Sequence, residues 1–191
     1  MRNAEARLKH WSTGWTAKNQ GDSPPTPFYK YMDFFEGKDV LEVGPGEGRQ
    51  YKSVLHLAKS YAVADISKEV LACPVFDAVQ SKYLLKEPGQ KLDTQFDLIH
   101  FWYVLHHIPS DELESFVNGF LLWNLKESGI VMFNTPYLDF HRGAYANDGV
   151  NTTKYTLDQV FRHFDPHFHC LMLDGTLYGQ SNGHIYIGRK R

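Results

Sequence analysis

At 191 residues the chain is long enough to bury one substantial core and suits a single domain. A formal net charge of −2 leaves no global basic field, which disfavours a nucleic-acid partner, and Cys73 and Cys170, far apart and in no C-x-x-C spacing, argue against a disulfide framework or a structural zinc site. No apolar run reaches the ~18 residues of a membrane span, and the charged start from Met1 to Arg7 lacks the apolar core of a secretory signal, so the expectation is a soluble cytoplasmic protein without membrane contact.

Residues 1–38 carry Trp11, Trp15, Phe28, Tyr29, Tyr31, Phe34 and Phe35, interrupted by Gly21-Asp22-Ser23-Pro24-Pro25-Thr26-Pro27. A short helix, a proline-stiffened loop and a second short helix fit this pattern. The aromatics serve either as core cover or as a cap over a ligand, and Trp15 and Tyr29, flanked by polar residues, suit a cap best. From Lys38 onward strand and helix signals alternate, as a parallel sheet requires. Strands are expected at 39–43, 61–65, 82–86, 96–101, 130–134, 170–173 and 184–187. Helices are expected at 47–58, as one turn at 67–71, and from Ser110-Asp111-Glu112 to a stop at Gly129. A last helix starts at 156 or 157, where Thr156-Leu157-Asp158-Gln159 forms a capping box.

The first strand, Val40-Leu41-Glu42-Val43, runs directly into Gly44-Pro45-Gly46-Glu47-Gly48-Arg49. A dinucleotide fingerprint would need its third glycine at Arg49, and Glu47 would repel a pyrophosphate. No Gly-Lys-Ser/Thr follows, so a phosphate-binding Walker loop fails as well. What remains is E-x-G-x-G-x-G. Asp65 closes the second strand, Tyr61-Ala62-Val63-Ala64, at the roughly 20-residue spacing of a ribose-binding carboxylate. Farther on comes the block Phe96-Asp97-Leu98-Ile99-His100-Phe101-Trp102-Tyr103-Val104-Leu105-His106-His107-Ile108-Pro109.

In these three blocks, spanning Val40 to Pro109, the chain resembles the class I S-adenosylmethionine (SAM)-dependent methyltransferases. The resemblance implies an α/β, Rossmann-like three-layer sandwich whose seven-stranded sheet is mostly parallel with an antiparallel last strand. Residues 1–38 become the N-terminal lid and 39–191 the core. It implies SAM as cofactor and S-adenosylhomocysteine as product, held by Glu42, Gly44, Pro45, Gly46 and Gly48 of the turn, by Asp65 and Ile66, by Glu87 after the third strand and by Trp102. Acidic groups near the turn suit the sulfonium and ammonium charges of that ligand.

His107, or failing that His106, is the candidate general base, because both follow the strand whose carboxyl end faces the transferable methyl group. Asn134 and Tyr137 follow the fifth strand, and the long connection 136–153 supplies His141 and Arg142; with Trp15 and Tyr29 these are the candidate acceptor contacts. Asn134-Thr135-Pro136-Tyr137 only superficially resembles an N-P-P-Y motif. His163, His167, His169 and Cys170 straddle a helix end and a strand start, so no metal is expected there. Asp97, at the far end of its strand, reads as structural. The expected reaction is methyl transfer to an oxygen or nitrogen of a small molecule. A macromolecular acceptor, nucleic acid or protein, and a non-catalytic SAM-binding protein are the alternatives; the oligomeric state is left open.

Overall fold

A computed structural model describes residues 27–136, 155–175 and 183–191. Seven strands, β1 (Asp39–Val43), β2 (Ser60–Asp65), β3 (Ser81–Leu84), β4 (Phe96–Phe101), β5 (Leu125–Pro136), β6 (Phe168–Asp174) and β7 (Gly183–Lys190), form one sheet in the order β3-β2-β1-β4-β5-β7-β6. β1 to β5 pair in parallel, and β7 runs antiparallel to both its neighbours. The order reverses at β1, with β2 on one side and β4 on the other, so a crevice opens at the carboxyl ends of these strands.

The inner strands are apolar on both faces because both faces are covered. One face packs Leu41, Ile99, Phe101, Val131 and Phe133 against the helical segment 113–124 and the helix Leu157–Phe164. The other packs Val40, Tyr61, Val63, Leu98 and Met132 against Tyr51 and Val54 of the helix Arg49–Val54 and against Tyr31 and Phe35. Tyr31 and Phe35, from and just beyond the 3-10 helix Pro27–Phe34, are therefore core residues, and the Tyr31 hydroxyl donates to Asp174 at 2.6 Å.

Several boundaries differ from the sequence expectation. The helix after β1 begins at Arg49 and not at 47, because its cap, Gly48, is left-handed at φ 73°, and it is complete by Val54, short of 58. β3 ends at Leu84: Leu85 makes a last bond to the Asp65 carbonyl, and the Lys86 amide then turns to the side chain of Gln90. The helix after Ser110 starts at Leu113, widens through a π-helical stretch at Phe116–Leu121, and stops at Asn124, well before Gly129. The Asn124 side chain accepts from the Leu92 amide and donates to the Gln90 carbonyl, which fixes that end. Leu125 already pairs with Phe96 and Ile130 with Leu98, so Gly129 belongs to an irregularity inside β5. The capping box at Thr156 and Gln159 is formed as expected.

Below the sheet, at the end away from the crevice, Lys126 Nζ lies 2.7 Å from Asp39 Oδ2 and 3.0 Å from Asp97 Oδ2, and the Asp39 amide donates to Asp97. The Lys126 hydrogen bond holds the Asp39 carboxyl well below the usual carboxylate range. Asp97 is thus a structural carboxylate. Among the described residues no helix is long and apolar enough to cross a membrane, and no three or more His, Cys, Asp or Glu side chains converge as metal ligands.

Candidate active site

Gly44, Gly46 and Gly48 all have positive φ, at 66°, 52° and 73°, so the chain leaves β1 in a conformation that side chains resist. Gly44 is also tightly enclosed. Its amide donates to the Ala64 carbonyl at 2.8 Å, and a Cβ there would lie 2.5 Å from Cγ2 of Val104. The glycine turn and the loop after β4 are therefore in direct contact. Pro45, between Gly44 and Gly46 in the turn, is buried, and Glu47 has a buried Oε1 without a hydrogen-bond partner among the described residues.

Glu42 is almost fully buried and accepts from the Tyr61 hydroxyl at 2.8 Å. Burial pushes its carboxyl up to about 8, against the Tyr61 hydrogen bond, which favours the charged form, and with help from the Asp65 charge. Asp65, at the carboxyl end of β2, accepts from the Ser67 amide at 2.8 Å. Burial lifts it to about 6 despite the bonds from the Ser67 and Ile66 amides. Ile66 is exposed beside it and presents an apolar surface next to the carboxylate. Glu87 is exposed, past the end of β3, in a turn closed by the Gln90 amide to the Glu87 carbonyl.

After β4 the chain turns sharply. Tyr103 is left-handed at φ 56°, unusual for an aromatic residue, and Oδ1 of the fully buried Asn134 accepts from its amide at 2.6 Å. Asn134 Nδ2 has no partner among the described residues. Leu105–His107 then form one 3-10 turn in which His106 is buried and His107 half-buried, with ring centroids 3.8 Å apart. Tyr155 ties this loop down by donating to the Ile108 carbonyl at 2.8 Å.

The fold thus brings Glu42, the glycines, Asp65, Ile66, His106, His107 and Asn134 to one end of the sheet. Trp102 is nearby but buried, and its indole N–H is given to His100 Nδ1 at 3.1 Å. Tyr29 belongs to the 3-10 helix Pro27–Phe34. Trp15, Tyr137, His141 and Arg142 lie outside the described residues. Sequence reasoning passed over Tyr61, His100 and Tyr103; the one signal available was a histidine inside the apolar run of β4.

A glycine turn flanked by the buried Glu42 and the half-buried Asp65, at the switch point of a parallel sheet and touching a histidine loop, marks a ligand crevice of the Rossmann-like kind. A family profile described as a methyltransferase domain matches residues 25–174, and the chain belongs to that family, a class I SAM-dependent methyltransferase. SAM is accordingly its cofactor.

Solved structures share the fold at low identity. The DhpI complex with S-adenosylhomocysteine aligns with a TM-score of 0.72 at 17% identity, covering 97% of this chain and 96% of that one. The N-methyltransferase NodS from Bradyrhizobium japonicum WM9, also bound to S-adenosylhomocysteine, aligns at 0.70 and 13%, covering 96% of both chains. The pyocyanin biosynthetic protein PhzM aligns at 0.65 and 10%, covering 86% of this chain, which spans only 53% of PhzM. No curated protein sequence matches the chain significantly.

Proposed function

We propose that the chain transfers a methyl group to an oxygen or nitrogen atom of a small-molecule acceptor, with His107 as the proton-accepting residue and His106 as the alternative. SAM supplies an electrophilic methyl group on a sulfonium. The residues around the glycine turn fit such a ligand: Gly44 lets the backbone come close, Glu42 and Glu47 suit positive charge, and Asp65 suits the ribose hydroxyls. Ile66 offers an apolar surface for the base, with Pro45, Gly46 and Gly48 shaping the turn, and Glu87 and Trp102 are the remaining contacts of this reading.

A displacement at carbon needs alignment first, and a base only where the acceptor has a proton to lose. Asn134 supports the aligning role, since its buried Nδ2 has a hydrogen to donate and no described partner. Trp15, Tyr29, Tyr137, His141 and Arg142 complete the acceptor pocket in this reading. The names of two neighbours support parts of this reading: NodS is an N-methyltransferase, which agrees with a nitrogen acceptor, and a magnesium protoporphyrin IX methyltransferase from Synechocystis PCC 6803, named for a small molecule, shares the fold with a TM-score of 0.63 at 14% identity.

The observation that carries the proposal is the packing of Gly44 on Val104, which sets the cofactor turn directly beside the turn bearing His106 and His107. Calorimetry with S-adenosylhomocysteine and with NAD, then a panel of hydroxylated and amino small molecules with methyl-labelled SAM, tests it. Binding of S-adenosylhomocysteine and label transfer to a small acceptor are expected. Heat with NAD and none with S-adenosylhomocysteine would sink the reading.

A further inference from the structure

Four polar side chains are buried together beneath the glycine turn, on the sheet face that packs against Tyr51 and Phe35. Glu42 is in register with His100 across β1 and β4, and Tyr61 of β2 stands in register with Val40, two residues before Glu42 and on the same face. The Tyr61 hydroxyl lies 2.8 Å from Glu42 Oε2 and 2.8 Å from His100 Nε2, while Trp102 Nε1 lies 3.1 Å from His100 Nδ1.

Chemistry fixes the direction of every link. An indole N–H only donates, so His100 Nδ1 accepts and the ring proton resides on Nε2. Burial keeps this imidazole neutral by pushing it down to about 3. Nε2–H therefore donates to the Tyr61 oxygen, and the Tyr61 proton goes to Glu42 Oε2. The result is a one-way chain of donors, Trp102 to His100 to Tyr61, that ends on the Glu42 carboxyl; burial keeps that group protonated without a ligand, and the Tyr61 hydrogen bond favours its ionisation when a cation arrives. Filling the core alone would be served at lower cost by apolar side chains, because each buried polar group must be satisfied.

We propose that Trp102, His100 and Tyr61 are positioning residues that lock the Glu42 carboxylate in the orientation that receives the ammonium group at the amino-acid end of the methyl donor. The inference rests on the donor reading above; it adds Tyr61 and His100, and it gives Trp102, already a contact in that reading, a second role through the indole N–H that it turns to His100. A hydrogen bond to one carboxylate oxygen fixes the carboxylate plane and favours its ionised form, and both are needed by a cationic partner.

The test compares S-adenosylhomocysteine with 5′-methylthioadenosine, which keeps the adenosine and sulfur and lacks the amino-acid portion. In Tyr61→Phe, affinity for S-adenosylhomocysteine should fall at least about tenfold, as expected for loss of a hydrogen bond to a charged group, while affinity for methylthioadenosine stays within about twofold of the parent. Trp102→Phe should show a smaller loss with the same selectivity, because His100 is then free to change tautomer; it also serves if Tyr61→Phe fails to fold. Equal losses for the two ligands would reduce the chain to a structural role and overturn the inference, as would an unchanged affinity for S-adenosylhomocysteine in both variants. If the unmodified protein binds neither ligand, the donor reading falls first, and that outcome needs no variant to recognise.

Discussion

Replacing Glu42 by glutamine should make the protein more stable at alkaline pH and poorer at holding its cofactor. The carboxyl is raised from 4.5 to about 8 by burial. Between those values the unfolded chain has released a proton that the folded chain keeps, so folding stability falls as pH rises through this window and levels off above it. At about 1.4 kcal/mol for each tenfold in proton affinity, the full loss is on the order of 5 kcal/mol. Glutamine keeps an oxygen for the Tyr61 hydroxyl and carries no proton to lose. Urea denaturation of both proteins at about pH 5 and about pH 9 isolates the effect, since Asp65, lifted to about 6, contributes equally to both. The expected result is a small difference at the lower pH and a variant more stable by several kcal/mol at the higher one, equivalent to about 10 °C in melting temperature. Stability curves that run parallel across the range would refute the burial argument. In the same preparation, affinity for S-adenosylhomocysteine should drop at least about tenfold, because the carboxyl can give up its proton to pair with an arriving ammonium group and an amide cannot ionise.

Asp65→Ala should weaken S-adenosylhomocysteine binding at least about tenfold with an intact fold; unchanged affinity by calorimetry would separate Asp65 from the ribose. Gly44→Ala forces a side chain into φ 66° and to within 2.5 Å of Val104, so it should lower the melting temperature and abolish cofactor binding together. A variant that melts and binds like the parent would show that the turn adapts freely. With an acceptor in hand, His107→Ala should reduce kcat at least about 10²-fold and leave cofactor affinity nearly unchanged, whereas a loss of less than about threefold would return the histidine to a structural role and leave catalysis to alignment.

The parallel core was legible because β1 and β4 are short apolar runs bounded by turn residues, and Thr156 with Gln159 announces its helix through a local hydrogen-bond pattern. The start of β5 was not. Leu125 continues the helical spacing of Leu113, Phe116 and Leu121, and Gly129 looks like a helix stop, so a strand beginning at Leu125 with an irregular ladder leaves no periodic trace. In the site, Glu42 and Asp65 could be placed because each ends or nearly ends its strand. The partnership of Tyr61, His100 and Trp102 could not, since it depends on registers between three strands that are far apart in the chain.

The left-handed Tyr103 has a consequence for how this enzyme can change. Its amide is clasped by Asn134, so the turn that carries the histidine pair takes its bearing from β5 as well as from the strand it follows. The same β5 ends at Pro136, where the connection proposed to supply acceptor contacts begins. On the roles proposed above, acceptor selectivity and proton transfer are thereby geared together through one amide side chain. A lineage exploring new acceptors through that connection would retune its histidines at the same time, and substitutions at Asn134 should surface early in any laboratory evolution of altered selectivity.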